Sequence, residues 1–130
     1  MEVKIDTKEK FHVITLLQPN LSATMTEELT EILLAYLQTD IKNIVFNLKG
    51  LQSIDNISAE RLVNIQQKFY EANASFVICE LQPPVEQFLD RDELLEMMNV
   101  TPTEAEAGDI VQMEEIEREL LDGGEAGYEA

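Results

Sequence analysis

Apolar and polar residues alternate along Val3-Lys4-Ile5-Asp6-Thr7, the period-two pattern of a half-buried strand. Phe11 to Leu17 is rich in β-branched and aromatic residues and predicts a second strand, with Lys8-Glu9-Lys10 suited to a hairpin turn between them. Gln18-Pro19-Asn20 breaks that strand. The period then lengthens. Leu29, Ile32, Leu33, Tyr36 and Leu37 form the stripe of a helix lying on a core, Thr24 and Glu27 offer it a capping box, and Thr39 and Asp40 end it. Ile44 to Leu48 is a short continuous apolar run, as in a strand covered on both faces. Lys49-Gly50 turns the chain, and Leu51 to Asn56 reads as a loop.

A second helix is expected from near Ile57 or Ser58, burying Leu62, Ile65 and Phe69 with Val63 and Tyr70 beside them. Asp55, Asn56 and Ser58 are each able to cap it. Ala74 to Cys79 predicts another buried strand. Gln82-Pro83-Pro84 stops that strand and opens a third helix, with Val85, Phe88 and Leu89 inward and a continuation through Leu94, Leu95 and Met98. Asn99 to Pro102 suits a short edge strand. Thr103 and Glu106 form a further capping box, opening a last helix to about Leu121 in which Ile110, Val111, Ile116, Leu120 and Leu121 are apolar. The order β-β-α-β-α-β-α-(β)-α predicts an α/β fold. Its mixed sheet has a leading antiparallel hairpin and then parallel strands with right-handed crossovers, and about four helices lie mainly on one face. The domain spans 1–121. Residues 122–130, acidic and Gly-rich, have nothing to bury and are expected to be disordered.

Composition agrees with one domain. The chain has 130 residues, 45% of them hydrophobic, enough to fold without a disulfide or metal staple. One cysteine, no basic-plus-apolar leader and no apolar run of about 20 residues lead to the expectation of a cytoplasmic chain that does not insert into membranes. The net charge of −17 is unevenly placed. From Thr103 onward ten acids face one base, Arg118, giving −9, while the first 102 residues carry 16 acids and eight bases, giving −8. Such a chain repels nucleic acid and anionic lipid, so the expected partner is a protein.

Catalytic chemistry finds little to build on. The single histidine, His12, lies in a strand and reads as a partly exposed strand residue, and Cys79 lies in an apolar strand where its thiolate is disfavoured. Two Cys and His residues in all make a zinc site unpromising, no calcium loop is spelled out, and no Gly-rich phosphate loop occurs. A non-enzyme without cofactor or metal is the expectation.

One connection stands out: the loop from Gly50 through Ser53, Ile54 and Asp55 to Ser58, joining a buried strand to the free N–H groups of a helix start. A capped strand-to-helix connection explains it, and so does a helix start displayed to a partner. Together with the element order, Lys42 to Asp55, Ala74 to Cys79 leading into Pro83-Pro84-Val85, and Pro102-Thr103-Glu104-Ala105, it resembles the STAS domain, the fold of bacterial anti-sigma-factor antagonists. The resemblance covers roughly residues 1 to 120. It implies a regulatory binding domain, a monomer or weak homodimer, whose second-helix start contacts a partner such as an anti-sigma factor with serine-kinase activity. Relatives often carry Asp-Ser-Ser-Gly there, one serine being phosphorylated. Here Asp55 matches, Asn56 and Ile57 stand where the serines would be, and Ser58 stands where the glycine would be. Asp55, Asn56, Ile57 and Ser58 are therefore the candidate partner-binding residues, and Ser58 the one residual candidate for phosphorylation. The missing serines also suit a second reading, a non-switching subunit of a transporter-associated or sensory complex.

Overall fold

The computed structural model describes the backbone of residues 1–129 and the side chains of residues 1–121; the disordered tail expected over 122–130 falls outside the described side chains. Strands β1 (Val3–Thr7) and β2 (Phe11–Leu16) form the expected antiparallel hairpin, in register from Val3 opposite Leu16 to Thr7 opposite His12, and the Lys8 amide closes the turn onto the Phe11 carbonyl at 2.8 Å. Chain entry into the next layer uses a two-residue strand, β3 (Asn20–Leu21), followed by α1 (Ala23–Leu34) and a 3₁₀ turn, Ala35–Gln38. Then come β4 (Asn43–Asn47), a two-residue β5 (Ser53–Ile54), α2 (Asn56–Glu71), β6 (Phe76–Cys79), α3 (Pro83–Arg91), β7 (Val100–Thr101) and α4 (Glu104–Glu129).

The five-stranded sheet has the order β1-β2-β4-β6-β7, antiparallel at its first pair and parallel thereafter. Side chains alternate across it. Ile14, Leu16, Ile44, Phe46, Phe76 and Ile78 share a core with Leu29 and Leu33 of α1, Leu62 and Phe69 of α2, and Val85 and Leu89 of α3. The intervening residues, Phe11, Val13, Val45, Val77 and Cys79, pack instead against Ala107 and Val111 of α4. Three helices on one face and one on the other explain why β4 is buried along its whole length.

Gly108 allows α4 to lie close to the sheet: a Cβ there would stand 3.0 Å from the Phe11 ring. The C-terminal half of the described helix is held by Arg118, which donates to Ser75 Oγ at 2.9 Å, Asn43 Oδ1 at 3.2 Å and Glu115 at 3.1 Å.

Four local expectations are corrected. The cap of α1 is Ser22, not Thr24, which lies inside the helix, so the Thr24–Glu27 box is not used. The segment expected as a loop after Gly50 contains β5, paired in parallel with β3. The third helix does not continue to Met98. It stops at Arg91, where left-handed Glu93 (φ 61°) turns the backbone and the Leu94 amide returns to the Leu89 carbonyl at 3.0 Å, after which Leu95–Met97 forms a separate 3₁₀ turn. His12 is not partly exposed but buried. Its Nδ1 lies 2.9 Å from the Thr7 hydroxyl, its Nε2 3.0 Å from the Ile41 carbonyl, and its ring lies against Tyr36.

Candidate functional site

The parallel strands β2, β4 and β6 all point their carboxyl ends to one edge of the sheet, where the chain crosses into α1, α2 and α3. The β3–β5 pair builds the floor of this edge. Asn20 is in register with Ser53 and Leu21 with Ile54, the Gln52 and Ser53 amides donate to the Pro19 carbonyl at 2.6 and 3.1 Å, and the Ser53 hydroxyl donates to Asn20 Oδ1 at 2.5 Å. These contacts bring the starts of α1 and α2 side by side.

Asp55 joins the two starts. In extended conformation (φ −92°, ψ 170°) it is the N-cap of α2, its Oδ1 accepting from the Ser58 amide at 2.8 Å. Its Oδ2 accepts from the Ala23 amide, the first residue of α1, at 2.9 Å, and its own amide donates to the Leu21 carbonyl at 3.2 Å. One carboxylate thus serves two helix ends, each of which favours a negative charge. The Ser58 side chain and the Ser58 amide, and less strongly the Ala23 amide, favour the anion and hold the Asp55 carboxyl below the ordinary aspartate value of 3.8 against desolvation.

A stability prediction follows from this double cap. Asp55→Ala removes both caps at once and is expected to lower stability by about 2 kcal/mol at neutral pH, since one cap contributes roughly 1 kcal/mol. Asp55→Asn keeps one acceptor oxygen and is expected to lose about half of that. A carboxyl whose folded value is depressed stabilises above its unfolded value, and that contribution disappears as pH falls through the folded value. The difference in urea unfolding between wild type and Asp55→Asn should therefore be full at neutral pH and shrink as pH falls below about 4. Glu115, lowered chiefly by the Asn43 amide and also by Arg118, remains in both proteins and cancels in the comparison. A difference that persists unchanged into acid would contradict the capping role.

The four residues singled out from the sequence divide here. Asp55 is half-buried and structural. Asn56 is exposed, and Ile57, at 56% exposure, is a large apolar side chain in solvent on the first turn of α2. Ser58 is fully buried; its Oγ has no partner of ordinary hydrogen-bond geometry among the described residues, although its nearness to Asp55 favours that carboxylate. Sequence reasoning missed what surrounds them. Ser22 and Thr24, whose hydroxyls lie 3.1 Å apart, flank the α1 start, and exposed Leu17 follows the end of β2. The sequence signal for the shared cap was a second helix start, Ser22-Ala23, a short step after the Pro19 break.

The residues of ordinary catalytic interest lie elsewhere. Cys79 is fully buried, and burial together with Glu104 and Glu80 pushes its thiol up to about 12. It faces α4, whereas His12 lies on the other side of the sheet, with both ring nitrogens engaged. Among the described residues no group of three His, Cys, Asp or Glu side chains stands together as a metal site, and no helix is long and apolar enough to cross a membrane.

The STAS domain family model matches residues 2–107. A comparison with curated proteins finds none that matches. Among solved structures, an anti-sigma factor antagonist from Mycobacterium paratuberculosis superposes with a TM-score of 0.73 at 13% identity, over 85% of this chain and 93% of that one. The anti-sigma factor antagonist SpoIIAA in its unphosphorylated form gives 0.67 at 19% identity, over 85% and 96%. The murine anion transporter Slc26a9 gives 0.66 at 13% identity, over 80% of this chain but only 18% of the transporter.

Proposed function

The chain belongs to the STAS domain family, and from that premise we propose that it is a non-catalytic regulatory domain that binds a protein partner through the start of α2. The observation that carries this reading is the exposed Ile57 on a rigid helix start. Asp55 fixes the backbone on which Ile57 stands by tying α1 and α2 together, so an apolar anchor is presented with little conformational freedom left to lose on binding. Asn56 beside it supplies a polar contact. The partner class suggested by the similarity to anti-sigma factor antagonists is an anti-sigma factor, including one with serine-kinase activity. A pull-down from the source organism tests it: the partner recovered with wild type should be lost with Ile57→Asp and with Asp55→Lys. Recovery of no partner sensitive to either change would overturn the assignment.

The site also supports a domain that is not switched by phosphate. SpoIIAA has been solved in unphosphorylated and phosphorylated forms. In this chain the serine positions hold Asn56 and Ile57, and the Ser58 hydroxyl is buried under its own helix turn. A kinase would have to unwind the first turn of α2 to reach it. Incubation with candidate serine kinases and ATP, read by intact mass, is expected to leave Ser58 unmodified. A phosphate on Ser58 would contradict this and restore a switch. The same features favour the second reading, a constitutive subunit of a transporter-associated or sensory complex, since such a subunit needs the surface but not the acceptor.

A further inference from the structure

Helix α4 carries a feature that the α2 start does not explain. Its inward residues, Ala107, Val111 and Arg118, face the sheet. At helical spacing on the opposite side stand Met113, Ile116 and Leu120, exposed at 59, 54 and 66%, with Leu121 beside them at 67%. Scattered exposed apolar residues are ordinary, but three in an i, i+3, i+7 row form a stripe. Exposed Asp109 and Glu117 stand around it on one side, while exposed Glu119 and Gln112 border it on the side facing the hairpin turn. Between Glu104 and Leu121 the helix has seven acids and one base, and that base, Arg118, is spent inward on Ser75, Asn43 and Glu115. On the hairpin side, Lys8 and Lys10 line a cleft with Ile116, Lys8 lying 3.0 Å from Asp6 and Lys10 3.9 Å from Glu119.

We propose that the outer face of α4 is a second docking surface, for a basic amphipathic helix of another protein. The apolar row would take the partner's apolar stripe, and Asp109 and Glu117 would meet its lysines and arginines. Charge selects this occupant over a second copy of the chain. Two such faces apposed would set carboxylate against carboxylate in a protein that already carries −17.

The probe is a synthetic amphipathic helix of about 20 residues, with leucines in an i, i+3, i+7 row and lysines flanking them, titrated against the full chain by fluorescence anisotropy. Two controls accompany it, a scramble of the same composition and an otherwise identical peptide with glutamate for lysine. Wild type is expected to bind the basic amphipathic peptide, more weakly as salt is raised from about 50 to 500 mM, and to bind both controls at least about ten-fold less tightly. Ile116→Asp discriminates best. It adds a negative charge, so attraction by charge alone would tighten binding, whereas docking on the apolar row predicts at least about a ten-fold loss. Leu120→Asp should do the same, and both residues are exposed, so thermal melting should match wild type. Equal or tighter binding to the two variants, or equal binding of the scramble, would overturn the proposal. So would sedimentation showing a wild-type dimer that Ile116→Asp dissolves, which would make a second copy the occupant.

Discussion

Phe76→Ala is expected to cost about 3 to 5 kcal/mol of stability, the largest effect of any single substitution considered for this chain. Phe76 sits on β6, fully buried, with the Phe69 ring of α2 at 5.1 Å and the Phe46 ring of β4 at 5.9 Å between centroids, both within the separations at which aromatic rings attract. Truncation removes the ring's transfer free energy, breaks both aromatic contacts and leaves a cavity that a strand paired on both sides cannot collapse to fill. Because Phe69 belongs to the helix that bears Asp55 and Ile57, the loss also loosens the support of the site. Urea unfolding followed by circular dichroism measures it, with the midpoint expected to fall sharply and the slope to stay constant. A loss under about 1 kcal/mol would mean that the three rings do not form the joint between α2 and the sheet.

The second large effect is on binding rather than stability. Ile57→Asp is expected to weaken the partner complex by at least about 2 kcal/mol, roughly thirty-fold or more, as is usual when a central apolar anchor is replaced by a charge that must be desolvated. The fold should be unaffected. Ile57 is exposed, Asp is acceptable in the first turn of a helix, and the dipole there favours a negative charge. The substitution therefore separates the two roles within the site, Asp55 building it and Ile57 using it.

Much of this was legible in the chain. Every strand of the main sheet and all four helices were located, some by period, as in the Leu62-Ile65-Phe69 stripe, some by a continuous apolar run, as at Ile44 to Leu48, and some by proline punctuation, as at Pro83-Pro84 and Pro102. What was not legible depended on contacts distant in sequence. The β3–β5 pair is only two residues per strand and its register is set by Pro19 and Asn20 meeting Gln52 and Ser53, so nothing local announces it. Asp55 is one of three residues the sequence offers as caps of α2, and its second role, accepting from Ala23 across 32 positions of sequence, exists only once the two helix starts adjoin. The end of α3 was missed because Glu93 adopts a left-handed conformation usually left to glycine or asparagine. Arg118, the lone base of an acidic segment, could be recognised as odd, yet its partners Asn43 and Ser75 lie on strand ends far away in the chain. Ser58, expected from the sequence as a partner contact, is buried because it stands on the same helical face as Leu62, Ile65 and Phe69, a spacing the sequence carries.

The central claim is that a partner protein seats on the start of α2. Amide chemical-shift mapping of the isotopically labelled chain, titrated with the partner recovered from the pull-down, tests it most directly. The largest perturbations are expected at Asn56 and Ile57, spreading to Asn20, Ser22, Thr24 and Ser53 on the same edge, and the same titration with Ile57→Asp should leave them flat. Perturbations confined to β1 or to the outer face of α4, with the amides of Asp55 to Ser58 unmoved, would contradict it.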